Sequence, residues 1–305
     1  LRESPSSTGG PLGDVLSSER RSEYMFINLS GYRFVDLPDR DQLRAPLLNL
    51  CLSLDLKGTI LLSHNGINFS ISGDKESTEA LIEYLDLDIR LAGIPLKLSQ
   101  SDYQPYRRML VKCKREIISL GQDDIRPSEL TGPYIAPKEL QVMLDDGHDV
   151  LLLDTRNDYE TRVGVFEGAI SLDISSFRQF PQAIESLPEE YKCRPLVMYC
   201  TGGIRCEKAS AYLKYKGFKK VYQLEGGIIE YFRQVKVQGI NNLFMGKNFV
   251  FDQRKAERIS EHIISNCHQC GSPSDSHINC ANESCHLLFI QCESCRLKMQ
   301  NCCSK

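Results

Sequence analysis

The apolar positions of this chain fall into three successive patterns. Over residues 24–29 (Tyr24-Met25-Phe26-Ile27-Asn28-Leu29) they read as a strand, and Leu43, Leu47, Leu50 and Leu54 mark a helix over 41–54. Two short strands follow, 58–63 and 69–72, around His64-Asn65-Gly66-Ile67-Asn68, a glycine-bearing hairpin turn. A second helix over 76–85 and strand material at 109–113 complete the order β-α-β-β-α-β, the ferredoxin-like split unit. After residue 138 the pattern changes. Val150-Leu151-Leu152-Leu153-Asp154 and Leu196-Val197-Met198-Tyr199-Cys200 are uninterrupted apolar runs, as in parallel strands covered on both faces. With a helix over 208–215, a strand over 221–224 and a helix over 227–235, this region predicts an open α/β parallel sheet. From Cys267 onward apolar periodicity lapses and ligand-type residues take over.

The expected domains follow. Residues 1–23, with Ser, Gly, Pro and charge but no apolar period, read as a disordered lead-in. A ferredoxin-like (acylphosphatase-like) α+β domain occupies 24–120. A linker punctuated by Pro127, Gly132, Pro133 and Pro137 occupies 121–137, the open-sheet domain 138–240, and a small Cys-rich region 241–305. Composition then narrows the function. The chain of 305 residues is 41 % hydrophobic and 25 % charged, enough for ordinary globular cores. A net charge of −3 excludes a generally basic nucleic-acid coat, so any RNA contact must be a local patch. No apolar run approaches the ~18 residues that span a bilayer, so no membrane association is expected. Of 13 cysteines, eight lie between Cys267 and Cys303, a crowding at one end that does not suit a disulfide-stapled secreted fold. The expected compartment is therefore reducing, cytoplasmic in the simplest case. The chain starts at Leu1 rather than Met and so reads as a fragment or processed form. Arg2, Ser4, Ser6 and Ser7 leave room for the remnant of a mitochondrial or plastid leader.

Candidate chemistry concentrates in Cys200-Thr201-Gly202-Gly203-Ile204-Arg205-Cys206. A buried strand delivers Cys200 to its carboxyl end, where open α/β sheets place their ligands. Thr201, Gly202, Gly203 and Ile204 form a short loop whose glycines let backbone N–H groups turn toward the sulfur. A helix starting near Arg205 adds its positive end. Together these favour a thiolate or persulfide anion. The plainer alternative, a structural cysteine ahead of a glycine turn, does not require the strand, Gly-Gly, Arg and helix in that order. Arg205 is expected to hold an anionic sulfur or phosphate. Cys206 is a candidate resolving thiol, although a core-facing residue at a helix start explains it as simply.

The Cys-x4-Arg loop resembles that of rhodaneses, one residue shorter than the Cys-x5-Arg phosphate loop of the related phosphatases. Asp154-Thr155-Arg156 and Glu225-Gly226-Gly227 resemble rhodanese segments as well. The similarity goes further: Met198–Glu207, Leu224-Glu225-Gly226-Gly227-Ile228-Ile229-Glu230-Tyr231, Gly246-Lys247-Asn248-Phe249-Val250-Phe251-Asp252, Cys267-His268-Gln269-Cys270-Gly271 and 285–292 resemble the tRNA uridine hydroxylase family. This resemblance is dense over 134–303 and weaker over 26–121. It implies a rhodanese domain between a ferredoxin-like domain and a Cys-rich tail. The implied reaction is oxygen-dependent hydroxylation of the wobble uridine of tRNA to 5-hydroxyuridine, with Cys200 as the catalytic cysteine and molecular oxygen as co-substrate. The implied partner is the tRNA anticodon region. No flavin, nicotinamide or haem motif is evident in the sequence. One departure stands out: the family carries Glu before Gly-Ile-Asn in the first hairpin, where this chain has Asn65; the turn geometry is expected to survive, because Asn tolerates the left-handed conformation.

In the tail, Cys267-x2-Cys270 and Cys292-x2-Cys295 predict one tetrahedral zinc site of structural type. Cys280, Cys285, Cys302 and Cys303 predict a second, weakened by the adjacency of the last two; sequential pairing, an iron–sulfur cluster and redox-active thiols are the alternatives. Arg107, Arg108, Lys112, Lys114 and Arg115, with Tyr103 and Tyr106 beside them, form a basic stripe suited to an RNA backbone or to protecting an edge strand. Lys214, Lys216, Lys219 and Lys220 read as a solvated helix end. Three functions compete: the RNA hydroxylase, a persulfide-carrying sulfurtransferase with a protein or tRNA sulfur partner, and a zinc-dependent interaction protein with an idle rhodanese fold.

Overall fold

The structure, a computed structural model, describes residues 25–304. The lead-in expected over 1–23 lies outside them. The first domain runs β1 (Phe26–Phe34), α1 (Arg40–Ser53), β2 (Lys57–Ser63), β3 (Gly66–Gly73), α2 (Lys75–Asp86), β4 (Leu96–Ser101) and β5 (Met109–Cys113). Its sheet has the order β4-β1-β3-β2-β5. Leu47 and Cys51 of α1 and Leu81 and Leu85 of α2 pack on Leu29, Ile60, Phe69 and Ile71 from one face of that sheet. The last strand of the split unit is therefore β4, and the 109–113 strand is an addition, parallel to β2 at the far edge. Leu96-Lys97-Leu98-Ser99-Gln100-Ser101 lacks the apolar run of a buried strand because it is itself an edge. The first hairpin forms as expected, with Ser63 opposite Gly66. Gly66 rather than Asn65 takes the positive φ, at +138°, because a Cβ there would collide with the Arg33 carbonyl oxygen. Asn65 instead receives its backbone support from the Ser63 hydroxyl, 3.0 Å from its N–H.

The second domain runs β6 (Tyr134–Ile135), α3 (Pro137–Asp145), β7 (Leu151–Asp154), α4 (Asp158–Thr161), β8 (Gly164–Phe166), β9 (Ile170–Ser171), α5 (Phe180–Glu185), β10 (Leu196–Tyr199), α6 (Ile204–Tyr215), β11 (Val221–Leu224) and α7 (Gly227–Gln238). A parallel sheet of order β6-β11-β10-β7-β9 puts β10 at its centre. Alternation along β10 feeds two cores. Leu196, Met198 and Cys200 pack with Phe180, Ala209 and Leu213 on one face. Val197 and Tyr199 pack with Leu140, Ile228 and Tyr231 on the other. Burial on both faces is why the strand carries no polar residue.

Two expected boundaries shift. The segment 121–137 carries β6 and packs tightly rather than running free. Leu120 and Ile125 enter the core, the Gly132 N–H donates to Ser210 Oγ at 2.8 Å, and Lys214 donates to the Thr131 carbonyl. Upstream, buried Glu116 accepts from buried Lys208 of α6 at 2.5 Å and from the N–H groups of Leu120 and Gly121. The prolines of this stretch stiffen a strap between the domains. Beyond residue 240, β12 (Phe244–Phe249) pairs antiparallel with β8, so the start of the Cys-rich region completes the second domain. Phe244 stacks edge-on to Phe166, centroids 5.2 Å apart. After β13 (Ala256–Arg258) come β14 (His277–Asn279), β15 (Leu288–Ile290) and α8 (Glu293–Met299), a hairpin and short helix with little apolar mass.

Candidate active site

Cys200 follows the last residue of β10 and is 1 % exposed. The chain then turns into α6 through Gly203, whose φ of +95° a residue with a Cβ would resist. Its N–H donates to Cys200 Sγ at 3.0 Å. The loop is shaped from outside by α7. The N–H of Ile228 donates to the Cys200 carbonyl at 3.0 Å and that of Ile229 to the Thr201 carbonyl at 3.2 Å. These bonds turn the carbonyls away and leave the N–H groups for the sulfur. Gly227 makes the approach feasible, since a Cβ on it would lie 2.5 Å from the Cys200 carbonyl oxygen.

Burial alone would raise the Cys200 thiol. A hydrogen bond from Cys206, the charge of Arg205 and the N–H groups of Arg205 and Cys206 outweigh it and hold the thiol well below its ordinary range. Cys206 is pushed the other way, by burial and by donating to the Cys200 sulfur. Its sulfur also lies 3.7 Å from Thr155 Oγ1. Cys206 thus faces the core, as the simpler expectation had it, and is at the same time the neutral partner of a thiolate.

Arg205 departs from expectation. Its guanidinium does not turn into the loop to cradle an anion. It forms a buried two-pronged pair with Glu160 of α4, at 2.5 and 2.7 Å. The cause is Glu160, which accepts from the Asn157 N–H at the start of α4 and has no exposure of its own. Desolvation would raise that carboxyl, but Arg205 holds it below its ordinary range. Arg205 is a positioning residue whose charge reaches Cys200 through space. Asp154 and Arg156 likewise form a fully buried pair, capped by the Gly164 carbonyl, and serve the fold.

Two residues that pattern reading passed over close the site. Tyr32 of β1 places its hydroxyl 3.0 Å from where a Gly203 Cβ would stand. Lys97 of β4 brings its Cδ, Cε and Nζ to within 3.6–3.9 Å of the equivalent point on Gly202, its Nζ 5.0 Å from the centre of the Tyr32 ring. Burial lowers the Lys97 ammonium, opposed by Cys200, Glu230 and Glu207. Burial raises the Tyr32 phenol, assisted by Glu207 and Tyr134. Beside this roof opens a cavity of about 550 Å³ between the two domains, walled by Tyr32, Lys97, Tyr134, Glu207, Glu225 and Glu230 among others. Glu207 is tied to Tyr134, to Thr131 at 2.7 Å and to Gln223 at 3.3 Å. From the third side Arg254 reaches Ser99 of β4 at 3.0 Å, next to Thr201 and Phe251. The basic stripe is elsewhere. Arg107, Arg108, Lys112, Lys114 and Arg115 are exposed on and around β5, which lies four strand spacings, roughly 19 Å, across the sheet from β4. Arg115 pairs with Asp123.

In the tail, the sulfurs of Cys267, Cys270, Cys292 and Cys295 all lie within 4.8 Å of one another, and those of Cys280, Cys285 and Cys303 do the same. Cys270 and Cys292 are 3.6 Å apart, Cys285 and Cys303 3.7 Å. A tetrahedral ion with sulfur bonds of ~2.3 Å needs its sulfurs about 3.8 Å apart, whereas a disulfide needs ~2.05 Å. The donor sets therefore fit a metal ion. Cys302 does not join the second set. Gln300 and Asn301, both at positive φ, reverse the chain after α8, so that Cys303 faces the cluster and the Cys302 sulfur turns to the Gln300 carbonyl.

A thiolate at the end of a central parallel strand, in a Cys-x4-Arg loop leading into a helix, defines a rhodanese-type domain. Comparison with known proteins agrees. Residues 136–234 match the Rhodanese-like domain, residues 26–117 the UPF0176 acylphosphatase like domain and residues 245–305 the Rhodanase C-terminal family. The chain is 44 % identical over 283 residues to the tRNA uridine(34) hydroxylase of Escherichia coli O127:H6, covering 92 % of this chain and 80 % of that protein. It is 43 % identical over 305 residues to that of Enterobacter sp. strain 638, covering 96 % and 86 %. Among solved structures, a rhodanese-like domain from Anabaena aligns with 38 % of this chain and 80 % of its own at 24 % identity, with a TM-score of 0.31. The chain belongs to the tRNA uridine(34) hydroxylase family. No helix among the described residues is long and apolar enough to cross a membrane.

Proposed function

We propose that this protein hydroxylates uridine 34, the wobble position of tRNA, at C5 in an oxygen-dependent reaction that requires Cys200. The observation that carries this is the Cys200 thiolate, held under the loop N–H groups, whose covering residues Tyr32 and Lys97 also wall the cavity between the domains, in a chain of this family. Molecular oxygen is the co-substrate. The neutral Cys206 thiol beside Cys200 is suited to resolve a sulfenate or persulfide formed there. Arg107, Arg108, Lys112, Lys114 and Arg115 offer phosphate contacts at the β5 edge, and the tRNA anticodon arm is the partner proposed for the site. In the tail, Cys267, Cys270, Cys292 and Cys295 would hold one zinc ion, and Cys280, Cys285 and Cys303 a second with a further ligand from outside the set. The metal would stabilise a segment with too little apolar mass to fold alone. A reducing cytoplasm suits so many free thiols.

The test is mass spectrometry of tRNA nucleosides from cells lacking the protein, complemented with the native chain or with Cys200→Ser. The native chain restores 5-hydroxyuridine and its derivatives and Cys200→Ser does not. Equal 5-hydroxyuridine in both, alongside Cys200-dependent turnover of thiosulfate and cyanide by the purified protein, would mean a sulfurtransferase instead.

A further inference from the structure

The cavity beside the Tyr32 and Lys97 cover of the Cys200 loop has an electrostatic character that the reaction alone does not explain. Three carboxylates, Glu207, Glu225 and Glu230, line it against two cations, Lys97 and Arg33. Arg33 is committed elsewhere, donating to the carbonyls of Ala92 at 2.6 Å and Gly93 at 2.7 Å. A phosphate would meet net negative charge here, whereas a neutral base bearing N–H groups would find acceptors. Lys97 is the exception in the lining. It is largely enclosed between the two domains, and no carboxylate pairs with it among the described residues. It lies over the face of Tyr32 and against the Gly202 turn, with no hydrogen-bond partner for its N–H donors among the described residues, so they are free for a ligand at the mouth of the thiolate loop.

Resting on the hydroxylase assignment above, we propose that Lys97 donates a hydrogen bond to O4 of the uracil that enters this cavity and holds the base against the Cys200 loop. Three considerations support it. The reacting carbon C5 adjoins C4, so a group that reaches O4 must flank the reactive loop, and Lys97 flanks Gly202. Cytosine carries an amino donor at C4, which an ammonium repels, so the same contact selects uracil. Any build-up of electron density on the ring as C5 reacts is shared with O4, where a poorly solvated ammonium stabilises it most. The strap from Glu116 to Gly132 is anchored on α6, and Lys97 of the first domain lies against the Gly202 turn of the second. Tyr32 faces Lys97 from β1, while the negative charges of Cys200 from the loop, Glu207 from α6 and Glu230 from α7 oppose the effect of burial on the ammonium; on the tail side Asp252 is spent on Arg254.

The experiment uses the full chain and anticodon stem-loops carrying uridine, 4-thiouridine or cytidine at position 34, with binding read by fluorescence anisotropy. Sulfur at C4 accepts hydrogen bonds poorly. Native protein should favour uridine over 4-thiouridine and cytidine, and Lys97→Met should lose that preference while binding the cytidine stem-loop as native protein does. In complemented cells Lys97→Met should lower 5-hydroxyuridine about 10- to 100-fold, the range for a lost hydrogen bond to a charged group. Its thermal unfolding, measured alongside, should match native. The proposal falls if Lys97→Met keeps the same preference among the three stem-loops. It falls equally if all three bind more weakly by one factor with a salt slope smaller by about 1, which marks a phosphate contact. Should Cys200→Ser retain full 5-hydroxyuridine, the hydroxylase assignment itself is wrong, an outcome separate from either of these.

Discussion

Replacing Gly227 with alanine should disable the thiolate loop from outside it. Gly227 has φ +67°, a conformation that is unfavourable by about 1–2 kcal/mol for a residue with a Cβ. The new methyl would also lie 2.5 Å from the Cys200 carbonyl oxygen, 2.9 Å from that of Thr201 and 3.0 Å from the Gly202 nitrogen. All three are backbone atoms, and the first is about 1 Å inside ordinary van der Waals contact. The loop and α7 must separate, which strains the bonds from Ile228 and Ile229, each worth about 0.5–1.5 kcal/mol. The sum is a loss of roughly 2–5 kcal/mol, measurable by urea unfolding. The functional effect is separable from the stability effect. Once the carbonyls move, the N–H groups facing the sulfur move with them, and the Cys200 thiol should return toward its ordinary range. Alkylation by a small reagent such as iodoacetamide, followed against pH and mapped to Cys200 by mass spectrometry, reads that directly. In native protein the alkylation rate should be flat down to pH values well below an ordinary thiol pKa; in Gly227→Ala it should fall as pH is lowered through the usual thiol range. A variant with native stability and the native alkylation profile would refute the claim that α7 shapes the loop.

Glu160→Gln should destabilise by about 3–5 kcal/mol, because it strands the buried Arg205 charge; Glu160→Gln with Arg205→Met should recover part of that loss in the same unfolding assay. The Glu160 carboxyl is depressed in the fold, so its contribution is present in full above about pH 4.5 and is lost as pH falls through the lower folded value; urea midpoints followed into acid should show that sign, and less of it in Glu160→Gln. Elemental analysis should find two ions per chain, one of them lost in Cys303→Ser and both retained in Cys302→Ser; equal loss in the two variants would contradict the orientation of residues 300–303. Arg108→Glu with Lys112→Glu should weaken tRNA binding and reduce its salt slope by about 2, without altering the preference among bases at position 34.

How much of this could be read from the chain depends on how local the cause was. Cys200 was legible because its strand, its glycines and its helix are contiguous. The first tail site was legible because each Cys-x2-Cys pair can chelate an ion by itself, and two such pairs complete a tetrahedron. Cys302 and Cys303 were not separable, since the choice between them rests on the left-handed turn at Gln300 and Asn301, which no pattern of side chains announces. Arg205 was visible as a cation but not as a paired one. Its partner lies 45 positions away, and Asn157-x-x-Glu160 reads from sequence as no more than a helix start. Tyr32 and Lys97 gave no signal at all. Neither 30–34 nor 96–101 was legible as a strand, and what brings both side chains to the Cys200 loop is the docking of one domain's sheet edge on it.

That docking also explains the order of the first sheet. Of its two edges, β4 meets the catalytic domain, and the added strand β5 forms the exposed one. β4 is the edge strand that carries Lys97 to the Cys200 loop, and β5, by covering β2, forms the opposite edge. The exposed edge is then the strand with Arg108, Lys112 and Lys114 on and beside it, where charge both deters pairing with another sheet and suits a phosphate backbone. The roughly 19 Å between the two edges matches the scale of an anticodon arm, about the width of an RNA duplex, rather than of a free nucleoside. A sulfur carrier acting on a small thiol would have no use for that spacing. The tRNA placement proposed above, backbone at one edge and a single base at the other, would use it.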